Sequence, residues 1–337
     1  MSSPRMPGAE YALNIVHPAS PVLRIRYRDG VLVDPYGFPD WVLYARALVE
    51  LPDPEPGLGV DEMRVLDVLA ANQAPTDDPL LAGQIGTPAG WCWAHIGRTR
   101  QLALVPIELH GCYRHGGGVR TMAVTESLRG LRGATVPVAL AAGDQTPADV
   151  LDELERLLGR RLPTAYRRYL EETNGAAPIE PAVLAGYGFV VDQPLFGLAR
   201  ADQHQDLGYI RDFLADRFAD DLLPIGYVQG GILAIGPAGD VYYWDDDDAR
   251  DDASYGVLEI RDRLLYRCAD DFDDFRRRLV APPARLLDLA DVWTITGRIR
   301  TVQHDLAGAG LPPAMRAPGQ TRGGTGRDPI AKLFELT

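Results

Sequence analysis

Apolar positions change their spacing several times along the chain, and each change marks an element. Residues 23–34, LRIRYRDGVLVD, read as a strand. The turn-rich PYGFPDW follows, and VLYARALVEL (42–51) fits strand or helix by pattern alone. After the proline-rich PDPEPGLG, the stretch DEMRVLDVLAANQ (61–73) sets Met63, Val65, Leu66, Val68 and Leu69 at roughly helical spacing. Asp61 and Glu62 at its start suit a helix N-terminus. Periodicity then fades beyond the glycine triplet at 116–118 until Thr146, where T-P-A-D reads as an N-cap with proline in the first helical position. A domain boundary is expected near residue 140.

From Thr146 onward Val150, Leu151, Leu154, Leu157 and Leu158 form an amphipathic stripe. Pro163 restarts a second helix, TAYRRYLEETNG, which Asn174–Gly175 stops. The strand-like runs YGFVV, LLPIGYVQGGILAIG, DVYYWDD and YGVLEI come next, with G-G and P-A-G-D as turns, so a sheet built mainly of hairpins is expected. Helical spacing returns in FDDFRRRLV, through Phe272, Phe275 and Leu279, and a further helix is predicted near LLDLADVWTITGRIRTV. The expected division is 1–140, 141–281, and a helical then loose tail, rich in Gly, Arg and Pro, over 282–337. The fold class is α+β.

Composition supports two packed units: 337 residues with 46% hydrophobic content fill two cores. No apolar run approaches the ~20 residues of a membrane span, and MSSPRMPGAE lacks a charged-then-apolar signal pattern, so a cytoplasmic protein without membrane contact is expected. Cys92, Cys112 and Cys268 are too scattered for a disulfide framework. Charge divides the chain. Residues 1–140 carry 12 basic and 14 acidic groups, a net −2, whereas residues 141–337 carry 22 and 33, a net −11. The second part should repel nucleic-acid backbones and attract basic proteins.

Between residues 90 and 119 lie three of the six histidines, His95, His110 and His115. Phosphodiester hydrolysis needs a base for water and positive groups for the developing charge, and imidazole serves as either a base or a neutral metal ligand. Pro106 ends a strand before LH, so His95 belongs to a hairpin and the other two lie near a following helix. The series W93-A-H, L-V-P at 104–106, L-H at 109–110 and H-G-G at 115–117, with FPDW (38–41) and Asp67 to Ala71–Asn72 upstream, resembles the WHH-type toxin nucleases of the HNH/endonuclease VII superfamily over about residues 30–120. That resemblance implies a ββα-metal domain, with His95 as general base, His115 as metal ligand, His110 on the helix side, and a divalent metal (Mg, Mn or Zn) at the cluster. Ala94 falls where the family has the first histidine of its pair, and a methyl group coordinates nothing. Cys92, two residues earlier on the same strand face, and Glu108 are the neighbouring groups able to fill the gap.

Downstream, L-P-x-x-Y-x-x-x-L at 162–170, then N-G, L-P-I, G-G, a G-x-V-Y hairpin and W-D resemble the SUKH superfamily, over roughly residues 145–281. This resemblance implies a SUKH α+β domain, a mainly antiparallel sheet with flanking helices, of the kind that bacterial immunity proteins use against toxins. Nothing in this half sets a nucleophile, base and orienting group at working spacing, and His204 stands apart. The acidic run Trp244, Asp245, Asp246, Asp247 and Asp248 suits a solvated loop, a contact face for a basic nuclease, or a calcium loop without the EF-hand glycine and glutamate. Together the two resemblances imply a component of a bacterial toxin–immunity system whose SUKH part neutralises a nuclease toxin and whose nuclease-like part is impaired at Ala94. The alternatives are an active metal-dependent endonuclease cleaving DNA or RNA with His95 as base, and a SUKH-type scaffold without a toxin link.

Overall fold

The computed structural model describes residues 10–11, 31–32, 38–76, 78–79, 81–112, 117–121, 131–215, 217–245, 257–295 and 300–303. In the first part, β1 (Glu10–Tyr11) pairs with β2 (Val31–Leu32), and a 3-10 turn at Trp41–Leu43 leads to β3 (Ala47–Glu50). Thus VLYARALVEL resolves into turn and strand, while all of LRIRYRDGVLVD except Val31–Leu32 lies outside the described residues. Helix α1 (Val60–Gln73) precedes the hairpin β4 (Trp91–His95)–β5 (Gln101–Pro106), and α2 (Ile107–Cys112) follows it. The hairpin is antiparallel, with Trp93 opposite Leu104 and His95 opposite Leu102.

The second part opens with α3 (Ala148–Leu158) and α4 (Thr164–Thr173). Helix α3 starts one residue later than T-P-A-D suggests, on Pro147 without a side-chain cap. Its stripe is partial too: Leu151 and Leu154 are buried, whereas Leu157 is exposed. Helix α4 stops where Asn174 enters the left-handed region at φ 45°, as the Asn–Gly pair predicts. Short strands β6 (Ala182–Leu184) and β7 (Val190–Val191) pair with each other, and α5 (Leu207–Phe213) leads into the meander β8 (Leu223–Val228), β9 (Gly231–Ile235) and β10 (Val241–Asp245).

YGVLEI corrects one expectation. It contributes to a helix, α6 (Val257–Arg263), because Ile260 and Leu264, four residues apart, are both fully buried along one side. The fourth strand of the meander is instead β11 (Leu265–Ala269). Helix α7 (Phe272–Arg277) buries Phe272 and Phe275, and β12 (Leu279–Val280) returns to pair with β6. All ladders between the named strands are antiparallel, giving an α+β protein.

The chain then folds back on its beginning. Helix α8 (Ala284–Ile295), foreseen by its spacing, packs against α1, and β13 (Arg300–Gln303) joins β3 to complete the sheet β13-β3-β5-β4. One hydrophobic cluster joins Trp41, Ala94 and Leu109 to Tyr166, Phe196 and Ile232. A second joins Leu66, Leu69 and Trp93 to Val183, Val280 and Trp293. Helix α1 is consequently buried all round, from Asp61 to Ala71, with Asp61, Glu62, Arg64 and Asp67 inside as well. Buried charges demand partners, and those partners define the site.

Candidate functional site

Alternation along β4 sends Trp93 and His95 toward α1 and leaves Cys92 and Ala94 on the other side. Two strand residues span ~6.7 Å, and five helical residues rise ~7.5 Å. The Asp67-to-Asn72 spacing therefore matches His95 and Trp93, with the two elements running in opposite directions. Asp67, fully buried, places Oδ2 3.0 Å from His95 Nε2. Asn72 Oδ1 accepts from Trp93 Nε1 at 2.8 Å.

Arg100 completes this face. Its Nη2 donates to Asp67 Oδ1 at 2.7 Å and its Nη1 to Asp67 Oδ2 at 3.1 Å. No sequence motif marks Arg100; the hairpin register, with His95 opposite Leu102, is what brings it beside the imidazole. A carboxylate fixed by a guanidinium accepts, so in this pair Asp67 orients the imidazole of His95 through Nε2.

The opposite face is built differently. Ala94 is 2% exposed, sits across from Ala103, and packs with Cys92 and Val105 in the cluster shared with the second part of the chain. Cys92 does share the face of Ala94, as alternation predicts, but as a buried packing residue. Glu108 is committed elsewhere, its Oε2 lying 2.7 Å from His204 Nε2. His204 thus does not stand apart: Asp202 Oδ1 lies 3.1 Å from its Nδ1. Burial opposes charge on this imidazole, but the Asp202 and Glu108 carboxylates outweigh it and push its pKa up to about 9.

His110 lies on α2 with its ring centroid 5.3 Å from that of Trp41. His115 lies outside the described residues, as do Asp246, Asp247 and Asp248. Trp244 and Asp245 are 3% and 1% exposed, so these two belong to the interior and not to an exposed acidic face. Asp245 Oδ1 accepts from Arg64 Nη2 on α1 at 3.0 Å. Gly118, from the glycine triplet, lies so close to the His95 carbonyl that a Cβ there would collide with it, which gives that glycine a packing role.

The second part of the chain closes over β4. Along the outer edge of that strand, Trp93 N–H donates to Gln229 Oε1 at 3.2 Å and the Trp91 carbonyl accepts from Gln193 Nε2 at 2.7 Å. Asp192 Oδ2 accepts from Thr87 N–H at 2.9 Å, Thr87 Oγ1 at 2.7 Å and Asn72 Nδ2 at 3.1 Å. Desolvation still raises the Asp192 carboxyl above its ordinary range despite these donors. At the β8–β9 turn Gly230 has φ 102° and brings its carbonyl to 3.1 Å from Arg64 Nη2, where a Cβ would strike the guanidinium.

A family model described as a nuclease of the HNH/ENDO VII superfamily with conserved WHH matches residues 84–124. Another, the SMI1/KNR4 family (SUKH-1), matches residues 146–278. The chain carries both kinds of segment, and such a pairing marks a toxin–immunity-related fusion. No curated protein matches the chain. At the position of the WHH triplet this chain reads Trp93-Ala94-His95. Nucleases of that superfamily commonly use divalent metals. Among the described residues, which do not include His115, no three His, Cys, Asp or Glu side chains converge as a metal ion requires. No helix among them is long and apolar enough to cross a membrane.

Proposed function

We propose that this chain is a cytoplasmic component of a bacterial toxin–immunity system in which the SUKH segment binds and neutralises a nuclease toxin, while the fused WHH segment no longer cleaves nucleic acid. The observation that supports this reading best is the closure of β4: Gln193 and Gln229 occupy its edge, and Ala94 is buried beside Cys92 and Val105. In this reading the acidic run beginning at Asp246 meets the basic surface of the toxin, with Trp244 and Asp245 anchoring its root. Purified full-length protein is expected to leave plasmid DNA and RNA intact in Mg²⁺, Mn²⁺ or Zn²⁺, and to inhibit a nuclease encoded beside its gene. Failure to bind any such nuclease removes the main support.

One observation favours a second reading. In the Asp67–His95–Arg100 set the carboxylate orients the imidazole, which supports the reading of an active nuclease that uses His95 as base and is restrained by its own SUKH segment. That reading requires cleavage by the wild type and its loss in His95→Ala.

A further inference from the structure

The WHH and SUKH segments follow each other in sequence, yet the chain crosses between the two parts of the molecule twice. After the SUKH segment it returns through α8 and β13 to the first part. Leu286, Ala290 and Trp293, at i, i+4 and i+7 on α8, are all buried and share a cluster with Leu66 and Leu69 of α1. Arg285 of α8 pairs with Glu62 of α1, and the Arg100 guanidinium carbon lies 6.0 Å from the centre of the Trp293 ring. Strand β3 has β5 on one side, and β13 covers its other edge along the whole strand, with Val302 opposite Leu48.

The two crossings run side by side. Pro137 on the way out and Val280 on the way back are antiparallel partners. Val138 N–H donates to the Leu279 carbonyl at 2.9 Å, and Ala281 N–H donates to the Val136 carbonyl at 2.7 Å. Further along, the outgoing stretch fastens to the loop after α4, where Ala141 N–H donates to the Ala177 carbonyl at 2.7 Å. Domains whose two ends lie close together are the ones a host chain accepts as insertions.

We propose that residues 284–303 complete the first part of the chain and that the SUKH segment is inserted within it, so that one cut between the WHH and SUKH segments releases neither. The returning stretch is a clasp and not the start of a tail. Processing at the exposed residues 142–145 therefore frees no separate nuclease-like piece. This holds whichever partner the SUKH segment binds, and whether or not the WHH segment cleaves.

A site-specific protease sequence inserted between Asp144 and Gln145, both exposed, tests this on the full-length protein. After cleavage the pieces 1–144 and 145–337 are expected to elute as one species from a sizing column, and to separate in urea. Because the seam along β4 also joins the pieces, substitutions in α8 isolate the clasp, with the dissociation constant read from serial dilutions of the cut protein. Leu286→Asp puts a charge into a fully buried position and should raise that constant by about tenfold or more. Arg285→Glu, at a half-exposed side chain beside Glu62, should raise it by about threefold, less in high salt, without disturbing the core. Separation of the cut wild type overturns the proposal. So does an unchanged constant in a folded Leu286→Asp or, where that variant does not fold, in Arg285→Glu.

Discussion

The two faces of β4 carry opposite designs on one five-residue strand. Toward α1, Trp93 and His95 meet polar groups that fix them, Asn72 and Asp67, and Arg100 holds the latter. Toward the SUKH segment, Cys92 and Ala94 are small and packed. One side holds polar partners while the other packs against the second part of the chain.

Breaking the polar face should have the largest effect. Asp67→Ala takes the carboxylate away from both His95 and the part-buried Arg100 guanidinium, which keeps the Pro52 carbonyl, and is expected to destabilise the fold by about 3 kcal/mol, read as a lower midpoint in urea unfolding. The packed face should respond next. An imidazole introduced by Ala94→His has to enter a site that is 2% exposed and borders a small cavity, and whatever volume the cavity does not take is overpacking, which costs up to about 3 kcal/mol. Cleavage should not appear with it. A stable Ala94→His protein that cuts DNA where the wild type does not would show that the residue at position 94, and not closure, decides whether the segment cleaves.

Much of this was legible in the sequence. Both motif series placed their segments, the helix at 61–73 and the stop at Asn174 fell where spacing and turn chemistry set them, and strand alternation put Cys92 beside Ala94 on one face. What escaped were contacts between residues far apart in the chain. Arg100 and His204 carry no motif, and only the folded register shows that they meet Asp67 and Glu108. YGVLEI misled because a short apolar run of this length does not distinguish a strand from a buried helix turn. Trp244 and Asp245 misled because composition shows charge without showing depth, and Arg64, 181 residues away from Asp245, is what makes a buried carboxylate tolerable there.

The closure itself can be tested at its edge. Gln229→Ala leaves the Trp93 N–H without its acceptor at a site the wild type shields, for an expected loss of about 1–2 kcal/mol. Exchange of that amide should accelerate more than exchange within the β8–β9 ladder, because the edge opens before the sheet does. Equal acceleration throughout would mean that Gln229 supports the whole sheet and not the seam.

The gentlest probe of the same seam is pH. His204 has a pKa raised from 6.5 to about 9 in the folded protein, and the charged imidazole joins Glu108 of α2 to Asp202 of the SUKH segment. A raised folded pKa means that the folded state binds the proton more tightly than the unfolded one. The contribution is therefore complete below about pH 6.5 and is lost as pH rises through about 9. One proton gives a slope of at most about 1.4 kcal/mol per pH unit across that window. His204→Gln should be less stable than the wild type at pH 6 and should lose this part of the slope, so the two unfolding curves converge toward pH 10. Parallel curves from pH 6 to 10 would show that the imidazole packs between the carboxylates without its charge holding the two segments together.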